Sequence, residues 1–204
     1  MNGSPSYFFD LALGWKSIVI EADPIKFASI AKNRPNAVAL NGAFCENDYL
    51  EYYSDSFHAV GGAFETISEI NIISTRPKDE SSITKIPCLQ LSEVFRDNQI
   101  SHQGIDIIYI QISGVVLSMI RAMDWTVRTS IWVIEFRGDP KLDGKVREVL
   151  LQNHYVKAKW SIQRWCTQMG QCMKNEVYLK KGFNPLPVED IKRRLLEYKR
   201  EQHR

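Results

Sequence analysis

Several features that would assign the chain to a specialised class are missing from it. No apolar run approaches the ~20 residues that a membrane-spanning helix requires, and the N-terminus lacks the charged-then-apolar pattern of a secretory signal. The net charge is only +2, from 26 basic and 24 acidic side chains, so the charge balance does not favour binding to nucleic acid or to a membrane surface. We therefore expect a cytoplasmic protein with no transmembrane segment and no nucleic-acid partner.

Motifs of the common metal and nucleophile sites are missing as well. The sequence contains no phosphate loop, no Gly-x-Ser-x-Gly elbow and no His-Glu-x-x-His helix, and its histidines show no spacing typical of metal ligation. We predict no bound metal, and we predict reduced, mostly buried thiols. The four cysteines include no Cys-x-x-Cys pair, which argues against a zinc site made of cysteine alone; they are Cys45, Cys88, Cys166 and Cys172.

The composition is that of an ordinary globular protein, with 204 residues of which 44% are hydrophobic and 25% charged. This length fits one domain, since domains commonly run to ~100–200 residues. We predict a domain over residues 1–183 and a charged helical tail over 184–204. In the tail, apolar residues recur at helical spacing among many basic ones, which favours a solvated helix docked by a narrow stripe over a nucleic-acid or lipid surface.

Most of the chain alternates between strand-like and helix-like segments. Strands separated by helices predict an α/β fold with a mostly parallel sheet and helices on both faces. The last two strands should form an antiparallel pair, because no helical segment separates them. In chain order, the sequence predicts a helix over 4–14, a strand over 17–21, a helix over 23–33, strands over 37–41 and 58–66, a polar surface excursion over 68–85, a helix over 91–98 that Ser92 caps, a strand over 105–112, a helix over 115–123, a strand over 131–136, a helix over 143–153, and strands over 155–162 and 175–181.

The segment "SIVIEADP" (17–24) carries the clearest sign of a ligand site. Its apolar run ends on Glu21, and a helix start follows at once, with Asp23 as N-cap and Pro24 at the first helical position. In nucleotide-binding α/β units, an acid at the end of the second strand accepts hydrogen bonds from the ribose hydroxyls. The alternative is a solvated carboxylate at a strand end. We interpret Asp23 chiefly as a helix cap.

Taken in order, these segments resemble the FkbM family of S-adenosylmethionine-dependent methyltransferases over roughly residues 2 to 181. The resemblance implies a Rossmann-like methyltransferase fold, S-adenosylmethionine as the cofactor, and methylation of a hydroxyl oxygen on a sugar or another small metabolite. The segments that carry the likeness are "SYFFDLALGWKSIVIEADPIKFASIAKNRPNAVALNGAFCE" (6–46), "IPCLQLSEVF" (86–95), "IDIIYIQISGVVLSMIRAMDW" (105–125), "WVIEF" (132–136) and "NEVYLKK" (175–181).

The resemblance also implies a set of site residues, although it assigns no catalytic one. In the family, the turn after the third strand contacts the adenine, and the resemblance places Asn41-Gly42-Ala43 in that turn. The alternative is an ordinary turn, since Asn-Gly is a common turn pair. The carboxyl ends of the central strands hold the rest of the ligand. The implied cofactor-binding residues are Glu21, Asp23, Asn41, Gly42, Ala43, Gln111 and Ser113, and the implied substrate-binding residues are Ser113 and Glu135.

The chain departs from the family pattern in two places. The family begins with a strand and a glycine-rich turn that wraps the methionine end of the cofactor, and this sequence offers only "MNGSPS" there. The family's Asp-x-Glu-Gly is replaced by Gln111-Ile112-Ser113-Gly114. Glutamine and serine keep hydrogen bonding but are not general bases near neutral pH. An alternative function is therefore a catalytically inactive methyltransferase fold that acts as an interaction module.

The missing first strand also raises a problem of strand pairing. In the sheet of these methyltransferases, that strand lies between the strands that correspond to 17–21 and 105–112. Buried backbone groups left unpaired cost ~1–3 kcal/mol each. The two strands could pair directly, a second copy of the chain or a partner strand could fill the gap, or the sequence could be a truncated product. If the chain folds alone, we expect direct pairing, because both strands are apolar enough to be central.

Overall fold

The structure is a computed structural model that describes residues 5–44, 48–55, 60–63, 83–100, 104–111, 116–136, 140–166 and 172–183. The predicted tail over 184–204 and the predicted site residue Ser113 lie outside the described residues.

The N-terminal part of the chain follows the predicted alternation closely. Helix α1 (Pro5–Leu13) precedes strand β1 (Ile18–Glu21), helix α2 (Pro24–Asn33) and strand β2 (Val38–Asn41). Strands β1 and β2 pair in parallel, with Glu21 opposite Asn41 at their carboxyl ends. The Asp23 side chain caps α2, as predicted, by accepting hydrogen bonds from the first backbone N–H groups of the helix.

A buried ion pair fastens α1 to the end of α2. The Arg34 Nε donates to Asp10 Oδ2 at 3.0 Å, and the two side chains are only 2% and 1% exposed. Arg34 also donates to the side-chain and backbone oxygens of Ser6, at 3.0 and 3.2 Å. Because Arg34 is the C-cap residue of α2, these bonds fix the helix that follows β1 against the helix that precedes it.

Three strands then form a small antiparallel sheet that the sequence analysis only partly predicted. They are β3 (Tyr49–Asp55), β4 (Val60–Ala63) and β5 (Ile83–Pro87), in the order β4-β3-β5. Strand β4 lies within the predicted strand over 58–66. Strand β3 was not predicted, and β5 begins inside the segment expected to be a surface excursion. The sequence of β3, "YLEYYSD", has no clean apolar–polar alternation, so its strand character comes from pairing with two neighbours.

The remaining elements build the larger sheet and its helices. The order of this four-stranded sheet is β6-β7-β9-β8, and β8 and β9 form the predicted antiparallel pair. The elements are α3 (Leu91–Asp97), β6 (Ile105–Ile110), α4 (Val116–Arg121), β7 (Thr129–Phe136), α5 (Pro140–Gln152), β8 (Tyr155–Cys166) and β9 (Cys172–Lys180).

The prediction of a mostly parallel sheet is wrong, because the strands form mixed pairings. Only β1–β2 and β6–β7 are parallel among the described strands, whereas β3–β4, β3–β5, β7–β9 and β8–β9 are antiparallel. The expected direct pairing of β1 with β6 is wrong as well. In the described part of the chain, β1 pairs only with β2, and β6 pairs only with β7. Direct pairing was expected from the apolar sequences alone, but apolar character fixes burial and not which strand is the neighbour.

Helix α3 begins without the predicted cap. Its N-cap residue is Gln90, which makes no side-chain capping bond, and Ser92 lies inside the helix. The buried residues of this helix are Leu91, Val94 and Phe95. Burial of these apolar side chains therefore sets where α3 starts, since tertiary packing contributes more to a short helix than a cap does.

The hydrophobic core lies on one face of the four-stranded sheet. Trp132, Ile134 and Phe136 alternate along β7 and belong to one buried cluster with Val146 and Leu150 of α5. Alternation of side chains along a strand puts these three residues on the same face. The opposite face carries the residues between them, including Val133 and Glu135, which are also buried.

A polar group sits within this core face. Glu176 of β9 is 5% exposed. Its carboxylate accepts two hydrogen bonds from Arg147 at 3.0 Å each, one from Lys157 at 2.6 Å, and one from the Tyr178 hydroxyl at 2.8 Å. These bonds join α5, β8 and β9 at one point.

Gly104, in the turn before β6, is a position where a substitution should change the free energy of unfolding. Gly104 has φ +75°, and a Cβ there would lie 2.9 Å from the backbone oxygen of Arg128. Because that oxygen also accepts a hydrogen bond from Ile105 N, it cannot move away without loss. Gly104→Ala should therefore lower the free energy of unfolding by about 1–2 kcal/mol in urea titrations.

Gly144 is the matched control for that substitution. It lies within helix α5, and a Cβ there would meet nothing within 4 Å. Gly144→Ala should raise the free energy of unfolding by about 0.5–1 kcal/mol, because alanine loses less backbone entropy in a helix than glycine does. Equal stabilities of the two variants would contradict the strain assigned to Gly104.

Candidate functional site

The turn between β1 and α2 positions two carboxylates in different ways. Asp23 is 5% exposed, and its Oδ1 accepts hydrogen bonds from Ile25 N at 2.9 Å and Lys26 N at 3.2 Å. Its Oδ2 lies 3.6 Å from Lys26 Nζ. The Asp23 carboxylate is therefore committed to the start of α2, which confirms its interpretation as a cap. Contact between Asp23 and a cofactor stays a prediction.

Glu21 retains an oxygen that a ligand can use. Its Oε1 accepts a hydrogen bond from Asp23 N at 3.0 Å, so the side chain is held over the turn. Within the described part of the chain, no donor reaches its Oε2. The residue is half-buried and not fully enclosed. Glu21 thus combines a fixed orientation with free hydrogen-bonding capacity.

Asn41 holds the two strand ends together. Its Nδ2 donates to the backbone oxygens of Glu21 at 2.9 Å and Ala22 at 3.3 Å. The neighbouring Gly42 N also donates to Glu21 O, at 3.2 Å. Both N–H groups of the Asn41 amide are therefore used by the turn that carries Glu21. The structure assigns Asn41 a bracing role, and direct contact with adenine stays a prediction.

The predicted loop after β2 packs tightly against the segment that follows β5. A Cβ on the buried Gly42 would lie only 2.5 Å from Leu89 Cγ, so this close approach requires a glycine. Ala43 forms a parallel bridge with Cys88. It donates from its N to Pro87 O at 3.0 Å and accepts at its O from Leu89 N at 2.7 Å. The backbone of Ala43 is therefore engaged in this bridge.

Cys88, which forms that bridge with Ala43, does not have the predicted reduced thiol. It is disulfide-bonded, so the expectation of reduced thiols is wrong for this residue. The sequence analysis did not predict the bond, because the spacing of cysteines alone does not fix which thiols meet in the fold.

The second group of predicted residues lies at the carboxyl ends of β6 and β7. These strands are parallel, with Ile110 opposite Ile134, so their carboxyl ends share one sheet edge. Gln111 follows β6 directly and is exposed. Glu135 is the second-last residue of β7 and is 7% exposed. The carboxyl edge of parallel strands is the usual ligand side of an α/β sheet.

One polar residue of this edge was missed by the sequence analysis. Asn175 of β9 lies opposite Glu135 in the antiparallel register and is 1% exposed. Its Oδ1 and Nδ2 have no hydrogen-bond partner among the described residues. The signal that could have found it is the adjacent pair Asn175-Glu176 at the start of an otherwise apolar strand segment.

The structure thus brings some of the predicted residues together. Shared hydrogen bonds link Glu21, Asp23, Asn41 and Gly42, and the bridge to Cys88 holds Ala43 beside them. Gln111 and Glu135 lie at the carboxyl ends of β6 and β7.

No three His, Cys, Asp or Glu side chains cluster as metal ligands among the described residues. In the same part of the chain, no helix is long and apolar enough to cross a membrane.

Comparison with known proteins gives one family. The model of the Methyltransferase FkbM domain matches residues 2–157, which is more than half of the chain and includes the β1–α2 turn, the loop after β2 and the ends of β6 and β7. No match is found among curated proteins or among solved structures. The confirmed elements from α1 to β2 and from β6 to β7 lie within the matched region. The chain therefore belongs to the FkbM methyltransferase domain family.

Proposed function

We propose that this protein binds S-adenosylmethionine and uses it to methylate a hydroxyl oxygen of a sugar or another small metabolite. Membership of the family supports the methyltransferase class and its usual cofactor. The observation that carries the proposal is the β1–α2 turn. It presents one fixed carboxylate, Glu21, with an unused oxygen at the carboxyl end of a parallel strand.

The residues of the turn fit the adenosyl part of this cofactor. A ribose has two adjacent hydroxyl donors, and a carboxylate is an acceptor with two oxygens. Glu21 offers Oε2 fully and Oε1 in part, because Oε1 already accepts from Asp23 N. Asn41 keeps the backbone of Glu21 in place. Gly42 and Ala43 continue from β2 beside the turn, where contact with adenine would lie.

When bound, the cofactor supplies an electrophilic methyl group on a sulfonium sulfur. The contribution of the protein is then mainly to hold the acceptor oxygen in line with that methyl group. Glu135 and Gln111 are the described polar residues at the sheet edge where the acceptor would sit, and Ser113 completes the set predicted from the sequence. Glu135 accepts a hydrogen bond from an acceptor hydroxyl in this proposal, and so orients its oxygen.

A second candidate function is an interaction module without methyl transfer. The observation that favours it is Gln111, an exposed amide at a position where the family has a carboxylate. In addition, β1 and β6 each have a single strand partner in the described part of the chain. We propose those open edges as the place where a second copy of the chain or a partner strand pairs, and light scattering with the purified chain tests it.

The cellular location is part of the proposal. The sequence favours the cytoplasm, whereas the disulfide at Cys88 counts against it, because disulfides persist mainly in oxidising compartments. Fractionation of a cell extract shows where the protein lies, and alkylation of free thiols in each fraction shows whether Cys88 is bonded there. A free Cys88 in the cytosolic fraction would support the cytoplasm and contradict the disulfide. A blocked Cys88 in a secretory fraction would support the disulfide and contradict the cytoplasm.

The proposal predicts that Glu21→Ala weakens binding of S-adenosylhomocysteine. The expected loss is about 1–3 kcal/mol, as for a charge-assisted hydrogen bond between the carboxylate and the ribose hydroxyls. Isothermal titration measures it, after circular dichroism has shown that wild type and variant are both folded. Glu93→Ala is the control, because Glu93 is an exposed carboxylate on α3 that the site does not use.

The titration also separates the two candidate functions. Micromolar binding by wild type, lost in Glu21→Ala and retained in Glu93→Ala, supports the cofactor site. A folded wild type that does not bind S-adenosylhomocysteine favours the interaction module. Equal affinities of wild type and Glu21→Ala would remove Glu21 from the site.

A further inference from the structure

The most unusual polar group among the described residues is the side-chain amide of Asn175. It is 1% exposed, and neither its Oδ1 nor its Nδ2 has a hydrogen-bond partner in the part of the chain that the structure describes. Buried polar groups are nearly always paired, so each unpaired one needs an explanation. An amide can donate two hydrogen bonds and accept two, and this one makes none to the described residues, so its capacity is unused.

The strand register places Asn175 in a polar row. Asn175 lies opposite Glu135 in the β7–β9 pair, and opposite residues of an antiparallel pair have Cβ atoms about 4.5–5.5 Å apart. On the other side of β7, Tyr109 and Ile110 lie opposite Val133 and Ile134. Continuing that register by one residue brings Gln111 next to Glu135.

This row runs from solvent into the interior of the sheet. Gln111 is exposed, Glu135 is 7% exposed and Asn175 is 1% exposed. The row starts at the carboxyl ends of two parallel strands, β6 and β7, which is the usual ligand side. In this row, Glu135 therefore lies between the exposed Gln111 and the buried Asn175.

The surroundings of the row are apolar. By alternation along each strand, Glu135 shares its face with Val133, and Asn175 shares it with Val177. These valines are 7% and 1% exposed. Glu135 already has an interaction of its own, so the unused capacity of the row belongs to Asn175. An apolar side chain at position 175 would pack without the cost of an unpaired amide, so the asparagine lowers stability there.

We propose that Asn175 and Glu135 form the subsite for the acceptor and recognise two adjacent hydroxyl groups, as in a sugar or a cyclic polyol. The inference rests on the proposed methyltransferase function and names the acceptor chemistry and a new residue. One hydroxyl donates to the Glu135 carboxylate and accepts from Asn175 Nδ2, while its neighbour donates to Asn175 Oδ1. A compound with a single hydroxyl satisfies only part of this set, so the subsite favours diols.

The first test measures stability, without any ligand. Replacing Asn175 by leucine, which has the same branched shape but no polar atom, removes the unpaired amide, so Asn175→Leu should raise the Tm by about 2–4 °C. Asn153→Leu is the matched control. The Asn153 amide is half-buried but donates to Val149 O at 2.9 Å, so its loss should lower the Tm or leave it unchanged. A lower Tm of Asn175→Leu would overturn the proposal, because it would show that the amide supports the fold.

The second test measures binding with probes of defined structure. Saturation-transfer NMR compares methyl α-D-glucopyranoside and myo-inositol, which carry adjacent hydroxyls, with cyclohexanol, which carries one. Wild type should bind at least one of the two diols in preference to cyclohexanol, and Asn175→Leu should weaken that binding about tenfold or more. Binding that Asn175→Leu leaves unchanged overturns the proposal, and so does a folded wild type that binds neither diol.

Titration with S-adenosylhomocysteine keeps this proposal separate from the proposed function. Asn175→Leu should bind it with wild-type affinity, because Asn175 is placed at the acceptor and not at the β1–α2 turn. If wild type binds a diol through Asn175 but does not bind S-adenosylhomocysteine, the methyltransferase function fails and the diol subsite stands. If S-adenosylhomocysteine binds and no diol does, the subsite fails and the methyltransferase function stands.

Discussion

Replacing Arg34 by alanine is expected to lower the free energy of unfolding by about 3–5 kcal/mol, the range for breaking a buried ion pair on one side. The guanidinium contacts Asp10 and two oxygens of Ser6, and both charged side chains are at most 2% exposed. Removing Arg34 leaves the Asp10 carboxylate buried without a cation. Since whole domains are stable by only about 5–15 kcal/mol, urea titration should show a large shift of the midpoint.

Two further variants show whether the charge or its geometry is responsible. Arg34→Lys keeps the charge but loses the planar donor set, and it should cost part of the same free energy. The double variant Arg34→Met with Asp10→Leu removes both charges, so it should be more stable than Arg34→Ala alone. An Arg34→Ala variant within about 0.5 kcal/mol of wild type, the range of ordinary surface changes, would contradict the assignment.

Replacing Glu176 by alanine is the second change with a large expected effect. The carboxylate accepts hydrogen bonds from Arg147, Lys157 and Tyr178. The side chains of Arg147 and Lys157 are 35% and 48% exposed, so water can replace their lost partner. The Tyr178 hydroxyl belongs to a side chain that is 1% exposed and cannot be hydrated. We expect a loss of about 2–4 kcal/mol in the free energy of unfolding, measured in urea.

Glu176→Gln is the matched variant because it keeps the shape and an acceptor oxygen. It should cost less than Glu176→Ala, since Tyr178 can still donate to the amide oxygen. If the two variants were equally destabilised, the hydrogen bond from Tyr178 would not be the main contribution.

The same carboxylate makes stability depend on pH in the acidic range. Burial raises the pKa of Glu176, but the hydrogen bonds from Arg147, Lys157 and Tyr178 outweigh it and lower the pKa from 4.5 to about 2. A carboxyl group whose pKa is lower in the folded state stabilises the fold above its unfolded pKa. This contribution should therefore be complete above about pH 4.5 and lost as the pH falls towards 2. Urea titrations between these values should show a steeper loss for wild type than for Glu176→Gln.

Much of the fold followed from local patterns in the sequence. The predictions for α1, β1, α2 and β2 are confirmed, because a proline at each helix start, the Asp23 cap and short apolar runs act within a few residues. The antiparallel pair β8–β9 is confirmed for a similar reason, since two strands without an intervening helix are adjacent in the chain. Local patterns could not predict β3, whose strand character depends on β4 and β5.

The candidate site shows the same limit. Glu21 could be proposed from the sequence because a strand, an acid and a helix start follow one another there. Asn175 was not singled out because its buried position depends on the register of β9 against β7, which places it opposite Glu135 across 40 residues of chain. The buried pair of Arg34 and Asp10 escaped prediction for the same reason, since neither residue has a pattern that indicates its partner.

The bridge between Ala43 and Cys88 has a consequence for how this family member can vary in length. The chain leaves the bridge after Ala43 and returns to it at Cys88, so everything between is a closed excursion whose two ends are fixed. Closing a longer loop costs little, about 0.6 kcal/mol for each doubling of its length. We therefore expect insertions and deletions in the turns between β3, β4 and β5 to leave the spacing of Gly42 and Leu89 unchanged. On this expectation, a chain that differs in this excursion can still keep the same β1–α2 turn.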